Sequence, residues 1–152
     1  MGTSKSGRYL NTAGSSSVAS EFSVVHSDEG RFTRPKSGGL RLAGGGHGEA
    51  GRKLLDKYHI EYRITHTYPN GVRIGNVLDH KARIKRTGNG QSWFPANWTA
   101  KIIKEAGEAV MHQHQSTGIK DGVASFGNYL GVRVGVILTG GKIATIFPDI
   151  AQ

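Results

Sequence analysis

Tyr62-Arg63-Ile64-Thr65-His66-Thr67-Tyr68-Pro69-Asn70-Gly71-Val72-Arg73-Ile74-Gly75-Asn76-Val77 reads as two alternating, β-forming arms around a turn. Pro69-Asn70-Gly71 is the turn signal, so the stretch predicts a β-hairpin. Its return arm recurs later in the chain. Gly71-Val72-Arg73-Ile74-Gly75 is echoed by Gly131-Val132-Arg133-Val134-Gly135, and each copy follows a turn and opens a strand. Each copy also has a helical segment ahead of it. Two similar halves, each a helix with an antiparallel sheet, predict an α+β fold with two subdomains flanking one cleft.

Working outward, Leu54, Leu55 and Tyr58 fall at helical spacing, which predicts a helix from about Glu49 to Tyr58 with His47 at or just before its N-terminus. Ahead of the second copy, Asn97 or Thr99 can cap a helix from about Thr99 to His112. Ile102, Ile103, Ala106, Ala109 and Val110 share one of its faces. Between the halves, Ala82 to Arg86 is a short candidate strand. A glycine-rich loop, Thr87-Gly88-Asn89-Gly90-Gln91, then leads into Ser92-Trp93-Phe94-Pro95. A polar loop over 113–122 precedes three closing strands, Val123–Phe126, Gly131–Leu138 and Lys142–Phe147. Phe22 to Leu42 mixes apolar and basic residues, and Pro35 and Gly38-Gly39 break any regular element there. It reads as irregular structure with one short strand. Residues 1–21 are rich in Ser, Thr and Gly without a period and read as a linker or disordered N-terminus, leaving 22–152 as the domain.

With 152 residues, 36% of them hydrophobic and 23 of them glycine, the chain suits one domain with a modest core and many turns rather than a helical bundle. The longest apolar run, Val134 to Leu138, is far short of the roughly 20 residues that span a bilayer. Met1 to Gly7 has no apolar core of a signal peptide, so any export is expected to come from a larger parent chain. Without cysteine there are no disulfides, thiol nucleophiles or zinc–thiolate sites. Lys and Arg outnumber Asp and Glu by 20 to 11, giving a net charge of +9. A phosphate polymer is the natural partner of such a surface.

The chemistry rests on three segments: Val24-Val25-His26-Ser27-Asp28-Glu29-Gly30, Gly44-Gly45-Gly46-His47-Gly48 and Lys85-Arg86-Thr87-Gly88. Two imidazoles and an ammonium suffice to cut RNA through its own 2′-hydroxyl. One ring accepts the hydroxyl proton, the other protonates the leaving 5′-oxygen, and the cation offsets charge on the phosphate. No metal or cofactor is called for.

His47 lies among four glycines, which permit close backbone approach to a phosphate, and beside a helix N-terminus that adds positive potential. His26 precedes Asp28 and Glu29, and a neighbouring carboxylate could orient its ring and raise its pKa. On a strand, Arg83 and Lys85 would share one face, either as a solvated surface or as a phosphate contact. His80, in the same basic stretch, is the rival to His26. Trp93, Phe94 and Trp98 either stack on bases or, for at least two of them, fill the core. His112 and His114 read better as surface histidines than as metal ligands.

These segments together resemble the bacterial EndoU endoribonuclease family, whose members occur as C-terminal toxin domains of contact-dependent inhibition, Rhs and LXG-type secreted proteins. The similarity covers roughly Phe22 to Asp149. Its markers are Gly45-Gly46-His47-Gly48, Tyr68-Pro69-Asn70-Gly71-Val72-Arg73, Arg86-Thr87-Gly88-Asn89-Gly90-Gln91-Ser92-Trp93-Phe94-Pro95 and Gly141-Lys142-Ile143-Ala144-Thr145-Ile146-Phe147-Pro148. The resemblance implies a His-His-Lys catalytic set at His26, His47 and Lys85, with Gly30 supporting the His26 match across an insertion. It also implies substrate contacts at Thr145 and Phe147, and Gln91 and Ser92 of the loop motif are further substrate-binding candidates. Phe147 stands where uridine-specific members carry Tyr, so a preference for uridine does not follow.

The resemblance further implies an RNA substrate such as tRNA, and products with 2′,3′-cyclic phosphate and 5′-hydroxyl ends. It implies release from the producer within a larger protein, action in the cytoplasm of a target cell, and an acidic immunity protein that covers the basic cleft. Which histidine is acid and which is base stays open on the sequence. Two other readings stand beside this one: a non-catalytic basic RNA-binding module, and a metal-dependent nuclease built on His112, His114 and carboxylates.

Overall fold

The computed structural model describes residues 18–36 and 38–152. Most of the linker expected over 1–21 lies outside the described residues. The fold is α+β, with three helices and three small antiparallel sheets. Helix α1 spans Glu21–Asp28 and is followed by a two-stranded hairpin, β1 (Arg31–Thr33) and β2 (Arg41–Gly44). The first half comprises α2 (Glu49–Lys57) and a sheet of β3 (Tyr62–Thr67), β4 (Arg73–Val77) and β5 (Gln91–Trp93) in that order. The second comprises α3 (Ala100–Gln113) and a sheet of β6 (Ser125–Tyr129), β7 (Val132–Thr139) and β8 (Lys142–Pro148). Among the described residues no helix is long and apolar enough to cross a membrane.

The sequence echo falls on equivalent strands. Gly71 and Gly131 both have positive φ, +95° and +78°, and each opens the central strand of a three-stranded meander. Val72 and Val132 are buried, as are Ile74 and Val134, so both strands turn the same alternate residues inward. The out-facing arginines tie each sheet to its own half. Arg73 pairs with Glu49 of α2 at 2.8 Å, and Arg133 pairs with Asp149 at 2.7 Å.

Two apolar clusters form, and the larger also takes in Val24 of α1 and Val72 and Ile74 at the first half's central strand. Leu42, Leu55, Ile60, Val77 and Trp93 form the smaller one under α2. Ile103, Ala106, Val110, Val134, Val136, Leu138 and Ile146 anchor the larger one under α3. Burying each Val, Leu or Ile side chain among them contributes about 1.5–3 kcal/mol. Trp93, Phe94 and Trp98 are all core residues, and the Phe94 and Trp98 rings stack at 5.0 Å.

Strand β5 was not expected from the sequence, β6 lies two to three residues later than expected, and two further segments differ in kind. The stretch expected to be irregular holds helix α1, capped by Ser20, whose hydroxyl accepts from Ser23 N at 3.1 Å. Glu-Phe-Ser-Val-Val-His-Ser-Asp carries β-branched residues and serines, so its helical propensity is poor. Tertiary contact sustains it. Ser27 donates to Ser23 O at 2.7 Å and accepts from Ile146 N of β8 at 2.9 Å, and a residue this small lets the helix lie close against the strand.

The strand expected over Ala82–Arg86 is instead a 3₁₀ turn at Arg83–Lys85. His80 Nδ1 accepts from Ala82 N at 2.8 Å, and Arg86 Nε donates to His80 O at 2.7 Å, closing the turn from both sides. Arg83 and Lys85 therefore do not share a face. Arg83 lines an outer groove with Ile84, whereas Lys85 is half-buried.

Candidate active site

The His47 loop is fastened to the C-terminal end of α1. Gly46, His47 and Gly48 donate their N–H groups to the carbonyls of His26, Ser27 and Asp28 at 3.1, 2.6 and 3.0 Å. Glycine is required for this approach. Gly45 and Gly46 have φ of +63° and +73°, and a Cβ on Gly45 would fall 2.0 Å from the His26 carbonyl oxygen. The same contacts bring His26 beside His47, although the two are 21 positions apart in sequence. The His26 ring lies over Gly44, where a Cβ would sit 3.3 Å from its Cε1.

His47 is buried, and its Nδ1 lies 2.7 Å from the Ser92 carbonyl oxygen. A carbonyl only accepts, so the neutral ring carries its proton on Nδ1 and leaves Nε2 basic. Burial holds the imidazole well below its ordinary pKa, and the Lys85 charge acts in the same direction. Burial also lowers His26, again reinforced by charge, here from Arg31 and Lys85. This reverses the expectation that Asp28 or Glu29 would raise it. The Asp28 carboxyl is instead buried at the start of α2, where the Ala50 N–H bonds to it and a Cβ on Gly48 would collide with its Oδ1 at 1.7 Å. The positive helix terminus expected to face a phosphate is thus met by a protein carboxyl.

The Lys85 charge acts on three imidazoles, adding to burial, the larger cause, at His26, His47 and His80. Lys85's own burial lowers its pKa. No ion pair among the described residues engages it, so its charge remains available to an anion. The structure therefore brings His26, His47 and Lys85 to one place and adds His80 to them.

The residues expected to bind substrate divide into two groups. Phe147 is half-buried, with its ring 5.9 Å from that of His47, and Thr145 lies two positions earlier on β8, also partly exposed. Gln91 and Ser92 are buried and serve the scaffold instead. The Ser92 hydroxyl donates to Pro148 O at 2.7 Å, joining β5 to β8 beneath His47. Gln91 Nε2 lies 3.4 Å from both the Gly45 and Gly46 carbonyls. A polar side chain next to a glycine-rich loop looks alike in sequence whether it faces ligand or props the loop. His114 Nε2 bonds to the Phe126 carbonyl at 2.7 Å. Among the described residues no three His, Cys, Asp or Glu side chains converge as metal ligands.

No curated protein and no solved structure matches the chain. The model of the family described as bacterial EndoU nuclease matches residues 23–150, which takes in both helix-and-sheet halves and every residue of the histidine–lysine cluster. By that match the chain belongs to the bacterial EndoU nuclease family, and it is a nuclease domain.

Proposed function

We propose that this nuclease domain is a metal-independent endoribonuclease that cuts RNA, with tRNA as its substrate, by attack of the ribose 2′-hydroxyl. The observation that carries the reading is the meeting of His26, His47 and Lys85, with His47 locked by Ser92 in the tautomer whose Nε2 is free to take a proton. His47, the more deeply buried ring, stays neutral near pH 7 and acts as the base. His26, more open to solvent, is the acid, and a bound phosphate anion favours its protonated form.

The 2′-hydroxyl proton passes to His47 Nε2 as the 2′-oxygen bonds to phosphorus. The P–O5′ bond then breaks, and the His26 proton goes to the departing 5′-oxygen. Lys85 offsets the charge on the phosphoryl oxygens. The products are a 2′,3′-cyclic phosphate and a 5′-hydroxyl. Thr145 and the Phe147 ring border the base of the cut nucleotide. Phe147 has no hydroxyl to read uracil, so selection there rests on stacking and shape.

Incubating the protein with tRNA in EDTA tests this directly. Cleavage with cyclic-phosphate ends is expected, and His47→Ala should lower it by about 10²–10⁴ while leaving RNA binding nearly intact. Intact RNA, 5′-phosphate ends or a chelator-sensitive reaction would count against it. The net charge of +9 and the cost of an uncontrolled ribonuclease to its producer support a further reading. The domain is a toxin carried out within a larger protein and active in a target cell's cytoplasm, and an acidic immunity protein neutralises it over the cleft. An immunity protein that binds without blocking cleavage would overturn that part.

A further inference from the structure

Beside the histidine cluster, a cavity of about 280 Å³ opens between the β1–β2 connection and the loop that follows β4, lined by Leu40, Arg41, Leu78, Asp79 and Arg86. Lys81 N donates to Leu42 O at 2.8 Å and ties its two walls together. Neither arginine is neutralised. The ion pairs of the described residues include neither of them, nor Asp79, the carboxylate in the same lining. Among the described residues Arg41 Nε is buried with no acceptor, and Thr33 Oγ1, opposite it across the hairpin, is buried without a partner as well. Arg86 spends Nε and one terminal nitrogen on the His80 and Lys81 carbonyls.

A buried cationic donor without an acceptor is destabilising, and two arginines against the one Asp79 carboxylate leave the cavity net positive. An anion offsets both. The cavity is also continuous with the proposed active site in electrostatic terms. His80 lies between Arg41 and Lys85 in sequence and is depressed first by burial, then by the charges of Lys85, Arg86 and Arg41. An RNA strand carries a phosphate at every nucleotide, so a strand held at Lys85 brings a neighbouring phosphate to these arginines.

We propose that Arg41 and Arg86 form a subsite for a non-scissile phosphate of the RNA strand, adjacent to the one that is cut. The assignment rests on the ribonuclease reading of the site, but its test needs no cleavage. The probe is a dinucleotide blocked by 2′-O-methylation, with or without a terminal phosphate at its 5′ or 3′ end. For the unsubstituted protein, the phosphate at one end is expected to tighten binding about tenfold, the value of one charge-assisted contact. Arg41→Gln should remove that gain and leave the affinity for the unphosphorylated probe within about twofold. Arg86→Gln should also remove the gain; because Arg86 closes the turn that carries Lys85, only the ratio of its affinities for the two probes is read. Lys142→Gln, an equal loss of charge on the exposed β7–β8 hairpin, should keep the gain.

For longer single strands, Arg41→Gln should also reduce the slope of log affinity against log salt by about 0.7. A gain that survives in both arginine variants, or that Lys142→Gln also abolishes, overturns the subsite. So does binding of inorganic phosphate alone with no gain from the terminal phosphate, which would assign the cavity to a free anion. Failure of the unsubstituted protein to cut ordinary RNA would sink the ribonuclease reading, yet these binding outcomes would still decide the subsite.

Discussion

Replacing His80 with glutamine should flatten the acid side of the stability curve. His80 is 1% exposed. Burial, followed by the charges of Lys85, Arg86 and Arg41, brings its pKa from 6.5 down to about 4 in the folded chain. The unfolded chain takes up that proton near 6.5. The stability held by the neutral ring is therefore complete above pH 6.5 and is lost as pH falls from 6.5 towards 4, because over that interval only the unfolded state is protonated. Between pH 7.5 and 4.5 the loss is about 2.5 kcal/mol.

The pH curve of the unsubstituted protein alone would not isolate this, because His47 slopes the same way and Asp28 the opposite way. Both are present in the variant, so the difference between the two proteins removes them. Urea unfolding followed by fluorescence of the buried Trp93 and Trp98 reports the stabilities. Removing the Nδ1 acceptor costs His80→Gln a constant amount. The gap between the proteins should then narrow by about 2.5 kcal/mol from pH 7.5 to 4.5. A gap constant to within about 0.5 kcal/mol would refute the claim that the fold holds His80 neutral under cationic pressure.

Asp28→Asn should show the opposite slope. Burial, with Glu29 beside it, raises Asp28 to about 6, so ionisation costs stability as pH rises from 3.8 through 6. The variant should gain on the parent by about 2–3 kcal/mol from pH 4 to 7 in the same urea series, and an unchanging gap would contradict this. Ser92→Ala leaves the Pro148 carbonyl without its donor, which should cost about 1–3 kcal/mol in thermal unfolding and slow RNA cleavage by loosening the strand under His47. Gly135→Ala puts a Cβ 2.5 Å from Phe147 Cζ. A loss of about 1–3 kcal/mol is expected, together with a raised KM for RNA as the ring beside His47 shifts, and an unaltered KM would argue against a substrate role for Phe147.

Much of the scaffold was legible because its signals are local. Alternation and the Pro69-Asn70-Gly71 turn marked the first hairpin. Helical spacing and Thr99 marked α3, which begins one residue after that cap. The echoed pentapeptides landed on the two central strands. The misread pieces are those whose conformation comes from partners distant in sequence. Helix α1 has weak propensity and exists through Ser27 and its contact with β8. The Lys85 segment has the pattern of a short strand, but His80 and Arg86 fold it into a turn. Gln91 and Ser92 sit in the right motif, and only their burial separates a prop from a ligand contact.

Composition, periodicity and the echoed pentapeptides pointed to a basic, cysteine-free α+β domain with two helix-and-sheet halves, and the sequence set its histidines and lysine in or near glycine-rich segments. What they could not supply was proximity and protonation. Three carbonyls at the end of α1 draw the glycine loop down until His26 and His47 adjoin. Packing β5 against β8 hands His47 the Ser92 carbonyl that selects its tautomer. Proton affinity depends on desolvation and on charges gathered from separate segments, and those exist only once the chain is folded.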